Sequence, residues 1–333
     1  MGTKDEAARP SGAEVGILLY PDCQLGSVHG LTELFATASR FARRHGRAPL
    51  RVSHWQRQGD RFERAFDSAA AEGGGGMPSV LIVPGSLDHP LSAEEAAPYA
   101  HWLLDRHAQG AILASNCAGS FALAAAGLLA GRQATTHWAF EELFRGRFPE
   151  VDLAIDRMVV DDGDILTAGG MLAWTDLGLR IVERLLGPTV MIETSRFLLI
   201  DPGGREQRNY ASFAPNMTHG DAAVLKVQHW LQSRGSAHVA VRDMAAEAGL
   251  EERTFQRRFK AATGMTPLEY WQQLRIGKAR ELLEFTRDSV DRIAWEVGYE
   301  DSGAFRKLFH RITGLTPGEY RQRFSADALA RAG

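Results

Sequence analysis

The sequence predicts two structural classes in one chain. The first is an α/β domain with a parallel sheet between layers of helices, and the second an all-α domain made of two helix-turn-helix units. Three observations predict this. Short apolar runs alternate with amphipathic helical stretches from Val15 to Leu186, and strands alternating with helices form a parallel sheet covered on both faces. One pattern is then written twice between Val241 and Phe324, at an offset of about fifty residues, within the range of repeated supersecondary units. The charge is also divided. From Asp221 onward there are 18 Lys and Arg against 15 Asp and Glu, leaving 20 against 26 before it, although the formal net charge is only −3. A basic part joined to an acidic part suits a nucleic-acid reader fused to something else.

The remaining composition narrows the class. A length of 333 residues, with 44% hydrophobic and 24% charged residues, is ordinary for a globular chain of two domains. Two cysteines, Cys23 and Cys117, cannot build a disulfide framework or a zinc site, and a reducing compartment is the default. No run of about eighteen apolar residues occurs, and the polar stretch from Met1 to Glu14 holds no signal core. A cytoplasmic protein without a membrane span is therefore expected. Residues 1–13 are expected to be disordered and 326–333 to form a tail.

In the first domain (14–200), Val15 to Tyr20 is a buried strand ended by Pro21, and Val28 to Arg44 an amphipathic helix with Leu31, Leu34, Phe35 and Phe41 inward. Val52 to Trp55 is a weaker strand, Gly73 to Gly76 a flexible turn, and Val80 to Val83 a strand closed by Pro84-Gly85-Ser86. Glu94 to Ala108 reads as helix, Ala111 to Ala114 as strand, Ala118 to Leu129 as a small-residue helix, and Trp138 to Phe144 as helix-like. Ile155 to Val160 and Ile165 to Ala168 form a strand pair around Asp161-Asp-Gly163. Met171 to Leu186 is a helix ended by Gly187, after which Pro188 suits the opening of another. Residues 201–217, rich in Pro, Gly and polar side chains, read as a linker, and Asp221 to Gln232 as the first helix of the second domain (218–325).

The informative place in the first domain is Ser115-Asn116-Cys117-Ala118-Gly119. It lies between a buried strand and a helix, the position of a nucleophile elbow. Small residues allow the tight turn, and a thiol at a helix N-terminus meets the positive end of the dipole, which predicts a lowered pKa. Buried inert packing is the plainer use of a cysteine. His137 is the one imidazole within reach of the same motifs, and its place before Trp138 equally suits a capping or packing histidine. Neither Ala122 to Ala126 nor Gly73 to Gly76 has the spacing of a phosphate-binding loop, so no cofactor and no metal are expected.

In the second domain each copy reads as helix, turn, helix. Val241, Met244, Ala245 and Ala248 form one apolar stripe and Ile293, Ala294 and Val297 the other. Gly249 and Gly298 fall where each first helix must stop and turn. Phe255 and Phe259, and then Phe305 and Phe309, stand four apart and face inward. That leaves Arg253, Thr254, Gln256, Arg257 and Lys260 on the outer face of one second helix, and Ser302, Gly303, Arg306 and Lys307 on the other. Both copies close on Thr-Gly-x-Thr-Pro-x-Glu-Tyr, from Thr263 and from Thr313. Pro267 to Glu284 is one helix between them, about 25 Å long. Such a strut sets two heads near successive major grooves, about 34 Å apart.

This doubled block resembles the DNA-binding domain of the AraC/XylS family of transcription regulators. The first domain resembles the PfpI-type, class I glutamine-amidotransferase-like superfamily, in the version fused to such domains. Its matching pieces are Leu18 to Pro21, Val83 to Ser86, Ala114 to Leu129, Ala134 to Trp138 and Gly163 to Gly170. The resemblance implies a flavodoxin-like parallel sheet and a pocket drawn from Ser27, Gly85, Ser86, Asn116, Cys117, Ala118, His137, Trp138 and Gly170. It implies double-stranded promoter DNA, a small-molecule effector and RNA polymerase as partners, and a homodimer. The effector it points to is a small polar nitrogen compound, such as an amino acid or a quaternary amine. Enzymes of that superfamily set an acid beside the cysteine where this chain has Ser27, and many carry His where it has Ala118. No catalytic residue is therefore assigned. The rival expectation is a cysteine-dependent hydrolase or glyoxalase-like enzyme fused to a DNA-binding domain.

Overall fold

The computed structural model describes residues 12–72, 76–234 and 239–326. Residues 1–11, Gly73 to Gly75 and the tail beyond 326 lie outside the described residues, and so do the expectations made for them. The chain divides into two compact units, Met1–Gln207 and Arg208–Gly333. Residues 201–207 thus fold with the first unit, and the rest of the stretch read as a linker folds with the second.

In the first unit the strands are β1 (Glu14–Leu19), β2 (Arg51–Gln58), β3 (Arg61–Asp67), β4 (Val80–Val83), β5 (Ile112–Asn116), β6 (Gln133–Ala134), β7 (Asp152–Leu153), β8 (Val159–Asp161) and β9 (Ile165–Ala168). The helices are α1 (Leu25–Arg44), α2 (Ala93–Ala108), α3 (Ser120–Ala125), α4 (Glu141–Arg147) and α5 (Trp174–Leu198). The main sheet of the described residues runs β3-β2-β1-β4-β5-β9-β8. Its centre is parallel, but β3 and β8 are antiparallel edges. β8 and β9 are the strand pair expected around Asp161-Asp-Gly163, and β3, a strand not read from the sequence, follows β2 through Gly59-Asp60; turns that short reverse the chain. β4 is apolar and wholly buried, and β5 begins apolar and ends on the buried Ser115 and Asn116, as suits strands covered on both faces. α1 packs against α5 and α2 against α3.

Two helical expectations and one strand expectation change in length. The stretch from Ala118 to Leu129 is a 3-10 turn at Cys117–Gly119 followed by the short α3, which ends at Ala125, just before Gly127 with its φ of 76°. The stretch from Trp138 begins as a 3-10 turn and becomes helical only at α4. The stretch read as strand from Ile155 becomes a strand only at Val159, after an isolated bridge between Arg157 and Glu206. At Gly187, with φ 83° and ψ 168°, α5 breaks where the sequence places a stop.

The second unit holds α6 (Ala222–Ser233), α7 (Val241–Ala248), α8 (Glu252–Thr263), α9 (Pro267–Phe285), α10 (Val290–Glu296), α11 (Ser302–Thr313) and α12 (Pro317–Phe324). It has two separate cores. Val224, Val227, Leu231, Met244, Phe255, Phe259, Tyr270 and Trp271 make one, and Ile276, Leu283, Ile293, Val297, Phe305, Phe309 and Tyr320 the other. α9 supplies side chains to both. The repeated landmarks do the same work in each copy. Gly249 (φ 68°) and Gly298 (φ 84°) take the left-handed turn, which costs a residue with a Cβ about 1 kcal/mol. Thr266 and Thr316 each form a capping box with Glu269 and Glu319, holding the N-terminus of the following helix. Tyr270 and Tyr320 meet Phe259 and Phe309 edge-on at 5.2 and 5.4 Å.

Candidate functional site

The chain leaves β1 toward β2 on one side of the sheet and leaves β4 toward β5 on the other. The gap between β1 and β4 is therefore the topological switch point, and the carboxyl ends of the strands there are where α/β sheets hold ligands. Three loops meet at that edge. Tyr20 Oη donates to the Pro84 carbonyl at 2.7 Å, and the Gln24 amide to the Gly85 carbonyl at 2.8 Å. Cys23 pairs with Ser86 as a β-bridge, and Asn116 Nδ2 reaches Gln24 Oε1 at 3.4 Å.

Cys117 sits at the end of β5 with φ 52°, left-handed and without being glycine. That is the strained geometry of an elbow. Two glycines make room for it. A Cβ on Gly85 would come 2.9 Å from Cys117 Cβ, and one on Gly119 would come 2.3 Å from the Val83 carbonyl oxygen. Gly85, Asn116, Cys117 and Ala118 are thus brought together. Ser27 lies buried in the first turn of α1, its hydroxyl donating to the Gln24 carbonyl at 2.8 Å. Ser86 Oγ donates to the His89 carbonyl.

The thiol is the opposite of acidic. Burial pushes its pKa up to about 11, and the Ala118 amide offsets this only in part. The expected lowering fails because Cys117 is 3% exposed and opens a single 3-10 turn followed by six helical residues. A dipole that short is weak against desolvation.

The other residues expected in the pocket stand one step away. His137 caps the turn that begins at Trp138, its Nδ1 accepting from the Ala139 amide at 3.1 Å. Burial holds the imidazole below its usual pKa. No hydrogen bond among the described residues joins His137, Trp138 or Gly170 to Cys117. The connection runs through Thr136, whose hydroxyl donates to the Cys117 carbonyl at 3.0 Å. Gln207, the last residue of the first unit, is buried against the same strip. Its Nε2 lies 2.8 to 3.0 Å from Thr135 Oγ1 and from the carbonyls of Thr136, Ile155 and Arg157. Its Oε1 accepts from the Trp138 amide at 3.0 Å. Gly169 is bare beneath it, since a Cβ there would lie 1.9 Å from Gln207 Nε2. Sequence reasoning missed Gln24, Thr136 and Gln207, because polar residues in loops carry no periodicity.

In the second unit the expected outer faces are outer faces. Arg253, Gln256, Arg257 and Lys260 are exposed and Thr254 half-buried on α8; Gly303, Arg306 and Lys307 are exposed and Ser302 half-buried on α11. Arg253, Arg257, Lys260 and Lys307 have no ion-pair partner among the described residues, whereas Arg306 pairs with Asp291 at 2.8 Å. Arg258, one residue on, turns the other way and grips Asp221 at 2.9 and 2.7 Å. Asp221 also caps α6 by accepting from the Val224 amide, so Arg258 ties α8 to α6. Residues 208–213 fold onto the same unit. Asn209 Nδ2 donates to the Thr313 carbonyl at 2.8 Å, Arg280 to the carbonyls of Arg208 and Ala211, and Phe213 meets Tyr270 at 5.1 Å.

Comparison with known proteins matches a helix-turn-helix domain at residues 244–323 and the DJ-1/PfpI family at residues 66–184. Among similar curated proteins is the HTH-type transcriptional regulator CdhR of Pseudomonas aeruginosa, 27% identical over 70% of this chain and 69% of its own. The HTH-type transcriptional regulator ArgR of the same species is 29% identical, covering 64% of each chain. The HTH-type transcriptional regulator GlxA of Rhizobium meliloti is 30% identical over 62% of this chain and 63% of its own. The chain thus spans less than two-thirds of the latter two regulators.

Proposed function

We propose that this chain, which joins a DJ-1/PfpI-family domain to an AraC-type helix-turn-helix domain, is a ligand-responsive regulator that binds specific double-stranded DNA. The observation that carries the reading is the doubled face. Two helices, each entered through a left-handed glycine turn, present exposed polar and basic side chains while paired phenylalanines bury the opposite side. A helix so presented is what the major groove admits. Arg253, Thr254, Gln256, Arg257 and Lys260 on α8, with Ser302, Gly303, Arg306 and Lys307 on α11, are the residues that meet DNA. Pairing of two copies, contact with RNA polymerase and a cytoplasmic location belong to the same proposal. Among the described residues no helix is long and apolar enough to cross a membrane.

The effector site lies at the Cys117 elbow and takes a small polar nitrogen compound such as an amino acid or an amine. Asn116 Oδ1 and Ser115 Oγ are buried without a hydrogen-bond partner, and an unmet buried acceptor favours a ligand that donates N–H. Ser27, Gly85, Ser86 and Ala118 line that end, with His137, Trp138 and Gly170 farther along the strip toward Gln207. A ligand binding one arrangement better than the other shifts the population of the DNA-competent state. A thermal-shift screen of amino acids and small amines tests the site, because a ligand of the native state raises the melting temperature.

The left-handed φ of Cys117 favours a second reading, a cysteine-dependent hydrolase or glyoxalase-like activity. A thiol with a pKa near 11 is almost wholly protonated at neutral pH, and no carboxylate or imidazole is among the causes of its shift, which supports a binding rather than a nucleophilic role. Turnover of reactive aldehydes or small amides by the purified protein decides between them.

A further inference from the structure

A cavity lies wholly within the second unit. It is an open cleft of about 610 Å³ walled by α6, by one side of α9 and by the end of α10. None of its lining residues belongs to α8 or α11, so it is separate from the faces assigned to DNA. Its apolar wall comes from both cores, with Phe213, Leu231, Trp271 and Leu274 from the first and Val297 from the second.

Three observations mark it as more than a packing defect. Trp271, 3% exposed, has an indole N–H with no acceptor. Arg275, four residues on and so on the same face of α9, has a buried Nη2 that is also without an acceptor. Its guanidinium stacks on Tyr299 at 3.6 Å and donates from Nε to the Val297 carbonyl, yet it has no ion-pair partner among the described residues. Leaving a half-buried cation and an indole donor unmet is costly, because each has lost its water without gaining an acceptor. Gly277 also lines the cavity, in the middle of α9 with ordinary helical φ, and a Cβ there would meet nothing within 4 Å. A mid-helix glycine is less favourable than alanine, and no close neighbour of a Cβ at this position asks for it. Open space over the helix at that point leaves room for something outside the chain.

We propose that this cavity binds a small apolar molecule bearing one carboxylate, which Arg275 and Trp271 hold while its body lies over Gly277 between the two heads. The charge argues for a single anion. Lys278 is occupied by Glu281 at 2.8 Å, and Glu296, with no ion-pair partner among the described residues, adds a carboxylate to the rim, which disfavours a more highly charged ligand. The occupant touches side chains of both cores and so fixes the setting of one head against the other, a control on DNA binding that bypasses the first unit.

The test uses the full chain and two matched probes, 3-phenylpropionate and its neutral amide, with binding followed by calorimetry. The acid binds, and the amide binds at least about tenfold more weakly. Gly277→Phe fills the open space and weakens the acid by about tenfold or more without lowering the melting temperature. Arg275→Gln weakens it similarly, and should that variant unfold, Gly277→Phe alone decides. No binding of the acid, equal binding of acid and amide, or an unchanged affinity in Gly277→Phe overturns the proposal.

Discussion

The side-chain amide of Gln207 stands 2.8 Å from the carbonyl oxygen of Thr136, and the hydroxyl of Thr136 donates in turn to the carbonyl of Cys117. The final residue of the first unit is thereby two hydrogen bonds from the elbow. Gln207→Ala removes the donor to several buried carbonyls and should destabilise the first unit by about 1–3 kcal/mol. It should also reduce the response of DNA binding to effector while leaving DNA binding without effector intact. A urea titration gives the first quantity and a mobility-shift assay with and without effector the second. An unaltered effector response in Gln207→Ala would show that Gln207 plays no part in it.

On the helix faces proposed to meet DNA, Arg253→Ala or Arg257→Ala should cost about 1–3 kcal/mol if the side chain reads a guanine edge, with discrimination lost at one operator position. A phosphate contact instead weakens all sequences alike and flattens the salt dependence by about one unit of slope. Footprints should show two protected major-groove segments per protomer, about one helical turn apart. One protected segment means that α11 does not dock.

For Cys117, alkylation by iodoacetamide should be slow at pH 7, where only about one thiol in ten thousand is ionised at a pKa near 11. The rate should climb about tenfold per pH unit through pH 10 without levelling near 8.5, the region of a free thiol. Cys117→Ser preserves size and polarity and should keep ligand-dependent transcription. Cys117→Trp should abolish that response while leaving operator binding by the second unit unchanged. Loss of a measurable hydrolase or glyoxalase activity in Cys117→Ser would establish the enzymatic reading instead.

A fragment beginning at Arg208 should melt higher than one beginning at Met217. The shorter piece lacks Asn209 on Thr313, the Arg280 acceptors and Phe213 on Tyr270. Equal melting temperatures for the two would show that residues 208–216 contribute nothing to the second unit.

The Arg258 guanidinium beside Asp221 holds that carboxyl below its ordinary pKa. A depressed folded pKa means the pair's contribution is present above the unfolded value, near 4, and is lost as pH falls through the folded value. Asp221→Asn keeps the cap acceptor and removes the charge. Its melting temperature should therefore lie below that of the parent at pH 7, with the gap closing below about pH 4.

The second unit was the more legible part. Periodicity places Phe255, Phe259, Phe305 and Phe309, and positive-φ glycines betray themselves as Gly249 and Gly298, because each rests on local geometry repeated twice. In the first unit the buried strands β4 and β5 were equally plain. β3 was not, since its residues are mostly exposed and charged and follow the edge of β2 only through a turn at Gly59-Asp60. The shortness of α3 was hidden because Ala-rich sequence favours helix on either side of Gly127. Cys117 could be placed but not titrated. Its position follows from a strand meeting a helix, whereas its pKa depends on how much water three distant loops exclude. Gln207 was invisible, a polar residue in a polar stretch whose partners lie some fifty to seventy positions earlier.

The two heads are packed independently, and α9 is common to both cores. A helix that runs unbroken through nineteen residues acts as a ruler. Its increments, about 1.5 Å and 100° per residue, do not match those of the duplex. Adding or removing one residue in α9 swings the second reader through more than a quarter turn, and no shift of a base pair restores the alignment. Spacing between the two half-recognised segments of an operator should therefore be intolerant of insertions, while the base identities within each segment are free to drift. In an evolving set of promoters, this protein would change what it reads far more easily than how far apart it reads.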